Sequence, residues 1–179
     1  MIDDLKDYIR TVPDYPIEGV NFYDMNSLFA GPIFHKVVRE MADHILEYKR
    51  VTHIAGLESR GFVLGAAVAH ELKLPFVMIR KEGAKYPGEL LKESYDLEYG
   101  SATLTLQTGL LGHVDRVAIV DDLVATGGSM AAAIKLVRAT GAKVICGSTA
   151  VDLKYLREGP ITIEDVHINS LYSEWDPDE

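Results

Sequence analysis

The stretch Val117-Ala-Ile-Val-Asp-Asp-Leu-Val-Ala-Thr-Gly-Gly-Ser129 constrains the fold more than any other. Val117 to Val120 read as a buried strand, Asp121 and Asp122 follow as adjacent acids, and the small residues Ala125 to Ser129 turn the chain into a helix that opens at Met130. The first amides of a helix have no internal partners and sit at the positive end of its dipole, so this turn is an anion cradle. Gly127 and Gly128 let the backbone approach phosphate oxygens, and Thr126 and Ser129 add hydroxyl donors. Two carboxylates one turn away would repel a bare phosphate. A ligand that carries hydroxyls beside its phosphate satisfies both halves, and a ribose 5-phosphate is such a ligand.

The rest of the chain supplies a scaffold with the same grammar. Val51 to Leu57 is a second buried-strand candidate that delivers Glu58-Ser-Arg-Gly61 at its end, followed by a helix that is apolar nearly all round. Leu74 to Ile79 is a third, followed by Arg80-Lys-Glu-Gly-Ala-Lys-Tyr-Pro-Gly88, whose Gly83, Pro87 and Gly88 predict a mobile loop. Lys143 to Val151 is a fourth, and Asp152-Leu-Lys-Tyr-Leu156 follows it. Strands alternating with helices, each with polar residues at its carboxyl end, predict an α/β fold with a mainly parallel central sheet and a site along one edge. A helix is also expected over 2–10, with Ile2, Leu5 and Ile9 on one side, and another from about 32 to 48. Leu90 to Thr108 alternates in part and reads as a β-hairpin. Pro13, Pro16 and Gly19 exclude a regular element from Val12 to Asp24, yet Tyr15, Phe22 and Tyr23 are clustered there, as in a loop that packs or binds something flat.

Composition narrows the functional classes. The 179 residues suit one domain, spanning 1–179, and the net charge of −9 leaves no basic face for nucleic acid. Against that acidity, Arg80, Lys81, Lys85 and Lys92 outnumber Glu82 and Glu89, a local basic loop suited to an anionic small substrate. Residues 164–179 are rich in acid without Lys or Arg and read as a solvated tail. The lone Cys146 lies in an apolar strand and reads as a small buried hydrophobe. No apolar run approaches the ~20 residues that span a bilayer, and the histidines show no metal-ligand spacing. A cytoplasmic location is expected.

The strand, Asp-Asp and Thr-Gly-Gly-Ser run resembles the phosphoribosyl-diphosphate (PRPP) loop of type I phosphoribosyltransferases. Three further motifs resemble the adenine phosphoribosyltransferases in particular: Pro13-Asp-Tyr-Pro with Gly19-Val-Asn-Phe-Tyr-Asp24, Gly56-Leu-Glu-Ser-Arg-Gly-Phe62, and Tyr95-Asp-Leu-Glu-Tyr-Gly100. The resemblance runs from about residue 12 to 156. It implies the type I phosphoribosyltransferase fold, with an N-terminal helix and hood over about 1–30 and a flexible catalytic loop or hairpin over about 81–108. It further implies transfer of the phosphoribosyl group from PRPP to adenine, giving AMP and diphosphate, by a homodimer. Mg²⁺ is then carried by PRPP and has no dedicated protein ligands.

Carried over residue by residue, the resemblance assigns the ribose hydroxyls to Asp121 and Asp122 and the 5-phosphate to Ala125, Thr126, Gly127, Gly128 and Ser129. Glu58, Ser59 and Arg60 take the diphosphate, with Arg80, Lys81 and Lys85 as further cations. Ala84 is one residue more than the family pattern has before the second lysine, which leaves Lys81 and Lys85 as alternatives. Glu98, with Tyr99 beside it, is the implied general acid/base, Phe22 the stacker on the base, Asn21 and Tyr23 the groups at its edge, and Leu153 and Leu156 its opposite wall. Tyr23 stands where many family members have Arg, so another purine, hypoxanthine or guanine, stays open as the acceptor. A PRPP-sensing regulator on the same fold is the alternative from another class, and Arg60 as a plain helix-start residue is the structural alternative for that position.

Overall fold

The computed structural model describes residues 5–83, 85–96, 100–156 and 161–174. After a 3-10 turn (Leu5–Tyr8) come β1 (Arg10–Val12), β2 (Phe22–Asp24), α1 (Met25–Phe29), α2 (Phe34–Leu46), β3 (His53–Leu57), α3 (Arg60–Leu72) and β4 (Phe76–Lys81). Then follow β5 (Leu90–Asp96), β6 (Ser101–Gln107), β7 (Arg116–Val124), α4 (Gly128–Ala139), β8 (Lys143–Leu153), a 3-10 turn (Lys154–Leu156), β9 (Thr162–Ile163) and β10 (Val166–Glu174).

Strands buried on both faces need apolar side chains at successive positions, and the chain puts such runs in the middle of the sheet. The eight strands are ordered β5-β6-β4-β3-β7-β8-β10-β9. β4, β3, β7, β8 and β10 run parallel, while β6, β5 and β9 close the two edges antiparallel. Alternate side chains of β3 and β7 serve two cores. Ile54, Ala118 and Val120 pack with Val37, Met41, Leu64 and Val68 of α2 and α3. Ala55, Leu57, Val117 and Ile119 pack with Met130, Ile134 and Val137 of α4. No helix among the described residues is long and apolar enough to cross a membrane.

Glycines set how closely α3 lies on this sheet. A Cβ at Gly56 would come within 2.7 Å of the Gly61 carbonyl oxygen, and one at Gly65 within 2.7 Å of the Phe76 ring. Direct backbone contact between β3 and α3 results, and it brings the start of α3 to the carboxyl end of the sheet.

Four local expectations change. The described part of the predicted helix over 2–10 is a 3-10 turn leading into β1, although Leu5 and Ile9 are buried as the amphipathic pattern requires. The irregular segment before Asp24 ends in β2, which pairs with β1, and Asp24 then caps α1 through its carboxylate and the Asn26 amide at 3.1 Å. Arg80 and Lys81 are strand residues: β4 continues through them because their backbones pair with Thr105 and Leu104 of β6. The acidic tail contains β10, paired along β8, because Val166 and Ile168 alternate toward the core between polar neighbours that face outward.

Cys146 lies within β8 in full burial, which pushes its thiol up to about 12. Iodoacetamide at pH 8 is therefore expected to leave the native protein unlabelled and to modify Cys146 only as denaturant unfolds the chain. Rapid labelling of the folded protein, read by intact mass, would contradict this packing.

Candidate active site

The carboxyl ends of β3, β4 and β7 and the starts of α3 and α4 enclose a cavity of about 270 Å³. At its base the chain leaves β7 through Ala125 and Thr126 and enters α4 at Gly127, whose φ of 92° is a left-handed conformation natural to glycine. No side chain caps this helix, so its leading amides are presented to the cavity together with Thr126 and Ser129. Behind the turn a Cβ on Gly127 would meet Ile163 at 2.8 Å, so β9 braces the cradle from outside.

Asp121 and Asp122 line the same cavity. Asp122 is 3% exposed, and the Asp121 carboxylate accepts its amide at 2.9 Å. Burial, and after it the charge of Asp122, holds the Asp121 carboxyl well above the ordinary carboxylate range. Burial also raises Asp122, where the positive charge of Arg60 works in the opposite direction. Gly61 makes room for this pair: a Cβ there would lie 2.7 Å from Asp121 Oδ1 and 2.9 Å from the Val120 carbonyl oxygen.

Arg60, the first residue of α3, approaches Asp122 Oδ2 with Nε at 2.9 Å. Its other contacts are the Tyr23 carbonyl, to which it donates at 3.4 Å, and the Phe22 ring, whose centroid is 5.9 Å from Cζ. Just before it, the Glu58–Ser59 peptide is cis. The Glu58 carboxylate turns toward β4 and accepts from Arg80 Nε at 3.2 Å and from the Lys81 amide at 2.9 Å. Burial opposes its ionisation, but the Arg80 hydrogen bond, the Lys81 amide and the charges of both residues hold Glu58 below its ordinary value. Glu58 thus joins β3 to β4, and Lys81 extends into the cavity wall.

The remaining expected residues divide. Lys81 lines the cavity, whereas Arg80 is committed to Glu58 and stacks 5.2 Å over Tyr86, and Lys85 is exposed and outside the lining. Glu98, Tyr99 and the extra Ala84 lie outside the described residues. In the hood, Phe22 is part-exposed and edge-on to Tyr15 at 5.1 Å, with Asn21 beside it. Tyr23, expected at the base edge, has its ring in the core at 7% exposure through strand alternation in β2, while its backbone carbonyl accepts from Arg60. Leu153 is also core, at 6% exposure, because β8 continues through it, and Leu156 is exposed in the turn that follows. Tyr95 and Asp96 line the cavity without having been assigned a role from sequence. The signal for Tyr95 was its place in the β5 alternation with Leu91 and Glu93, the half-buried face of that strand.

Residues 24–163 match the model of the phosphoribosyl transferase domain. An adenine phosphoribosyltransferase of Dinoroseobacter shibae is 46% identical over 171 residues, 94% of each chain. The crystal structure of the Rhodothermus marinus adenine phosphoribosyltransferase superposes with a TM-score of 0.85 at 36% identity, over 95% of this chain and 96% of that one. The Saccharomyces cerevisiae enzyme, complexed with an imino-altritol bisphosphate and adenine, superposes at 0.81 and 32% identity, over 93% and 96%. The chain belongs to the adenine phosphoribosyltransferase family.

In this adenine phosphoribosyltransferase fold the buried acids have a cost in stability. A carboxyl whose value is raised on folding favours the folded state below its unfolded value, near pH 4, and that contribution is lost as pH rises through the raised value. Asp121→Asn is therefore expected to flatten the decline of Tm above about pH 4 and to raise Tm at pH 8 by a few degrees, since ~1 kcal/mol corresponds to about 2–4 °C for a chain of this size. Differential scanning fluorimetry of both proteins from pH 4 to 9 checks it; superimposable curves would contradict the burial cost.

Proposed function

We propose that this chain transfers the 5-phosphoribosyl group of PRPP to adenine, releasing diphosphate and forming AMP, a purine-salvage reaction. The observation that carries the reading is one cavity in which the α4 turn, the acid pair Asp121 and Asp122 and the cations Arg60 and Lys81 converge. The turn takes the 5-phosphate, and Asp121 and Asp122 accept hydrogen bonds from the ribose hydroxyls. Displacement at the anomeric carbon builds positive charge on the sugar ring, which the two carboxylates favour, and negative charge on the leaving diphosphate, which Arg60 and Lys81 meet. Mg²⁺ enters as part of the substrate, chelated by PRPP oxygens. Phe22 stacks on the base, and Glu98, in the segment joining β5 to β6, handles the proton that adenine loses as N9 attacks.

Arg60 links these tasks. Without substrate it neutralises Asp122 and occupies one face of Phe22. Diphosphate draws the guanidinium away from both, so the acid is released to the ribose hydroxyls as the aromatic face is released to the base. PRPP binding thus prepares the adenine site, and the carboxylate exchanges an ion pair for hydrogen bonds from the ribose hydroxyls. The resemblance further supports a homodimer, and the composition, with its single cysteine, supports a reducing cytoplasm.

The deciding experiment is a panel of PRPP and Mg²⁺ with adenine, hypoxanthine, guanine or xanthine, following nucleotide and diphosphate. Adenine is expected to lead in kcat/KM by on the order of 100-fold or more, because a site that pairs an amino edge leaves buried acceptors facing a carbonyl in the oxopurines. Equal turnover of an oxopurine would overturn the choice of acceptor.

A further inference from the structure

Tyr95 has no part in the reaction as described, yet it stands over the phosphate turn. β5 crosses the start of α4 so closely that a Cβ added at Gly128 would lie 3.4 Å from Tyr95 Cδ2 and 3.4 Å from the Asp96 carbonyl oxygen. Leu91, Glu93 and Tyr95 share the half-buried face of β5, and Leu91 and Tyr95 pack against the core that contains α4. On the same face of β5, Glu93 lies 3.8 Å from Lys135 of α4. Tyr95 lines the same cavity as Asp121 and the turn, and burial, then the Asp121 charge, raises its phenol above the ordinary value.

We infer that Tyr95 is a positioning residue for the 5-phosphate, with its ring as the outer wall of the cradle. The ring keeps water from the α4 amides and from Asp121, which strengthens the amide–phosphate contacts by lowering the local dielectric. The wall acts on ligands that carry a 5-phosphate: PRPP, AMP and ribose 5-phosphate. Free adenine, which lies against Phe22 on the far side of the ribose, does not depend on it. The flat apolar ring carries this role and the hydroxyl does not, so phenylalanine substitutes for tyrosine.

This inference rests on the cavity being a phosphoribosyl site, and binding of ribose 5-phosphate to the unaltered protein by calorimetry tests that point first. Tyr95→Ala is then expected to weaken ribose 5-phosphate and to raise KM for PRPP, each by about tenfold, the loss that accompanies exposing a charge-assisted hydrogen bond to water. KM for adenine stays within about twofold, and Tyr95→Phe restores both values. Tyr95→Leu, which keeps apolar packing on β5 without the flat wall, shows the same split and stands in should the alanine variant not fold. The inference is overturned if ribose 5-phosphate binds the wild type but loses nothing in the Ala and Leu variants. It is equally overturned if KM for adenine rises in step with that for PRPP, or if Tyr95→Phe is as impaired as Tyr95→Ala.

Discussion

Two neighbouring carboxylates near the end of the central strand, Asp122 buried and Asp121 half-buried, are the constraint around which the molecule is arranged. Removing an anion from water costs several kcal/mol, and placing a second beside it adds repulsion. The fold meets that cost locally: the Asp122 amide donates to Asp121, Arg60 sets a positive charge 2.9 Å from Asp122, and Gly61 omits the side chain that would collide with the pair. Burial still raises both carboxyls, so the compensation is incomplete without a ligand. In the proposed reaction the ribose hydroxyls donate to the pair as Arg60 turns to the diphosphate. Stability is held below its optimum where binding needs unsatisfied groups.

The sheet puts these groups within reach of one another. β3, β4 and β7 run parallel and end at one edge, so three loops distant in sequence converge there. Direct backbone contact of α3 with β3 at Gly56 and Gly65 fixes the start of α3, and with it the point from which Arg60 extends. Glu58, turned toward Arg80 and the Lys81 amide, ties the second loop to the third. At the far side Ile163 of β9 lies against the turn between β7 and α4, and Glu164, between β9 and β10, pairs with Lys135 of α4. The cradle thus has a rigid back and a front formed by β5.

How far the sequence could be read depended on whether a signal was local. The phosphate turn is a short-range pattern in which strand, acids, glycines and helix follow without interruption, and its position could be read directly. β10 was hidden because acidic residues dominate the composition of 164–179, and only the alternation of Val166 and Ile168 marks a strand there. Arg80 and Lys81 resembled a loop because charge follows an apolar run; their strand character comes from β6, a partner more than twenty residues away. The burial of the Tyr23 ring was hidden for a related reason: the alternation that separates it from Phe22 belongs to β2, which pairs with β1. The Arg60–Asp122 contact spans sixty-two residues and no local pattern announces it.

The division of labour between acids and turn is tested most directly by comparing ribose 5-phosphate with 2-deoxyribose 5-phosphate in equilibrium binding to the wild-type protein. The two share the phosphate and differ by one hydroxyl. Loss of a hydrogen bond to a buried carboxylate, worth about 1.5–3 kcal/mol, corresponds to roughly ten- to a hundredfold weaker binding of the deoxy sugar. Equal affinities would contradict the assignment of Asp121 and Asp122 to the ribose hydroxyls and leave the turn as a phosphate site alone.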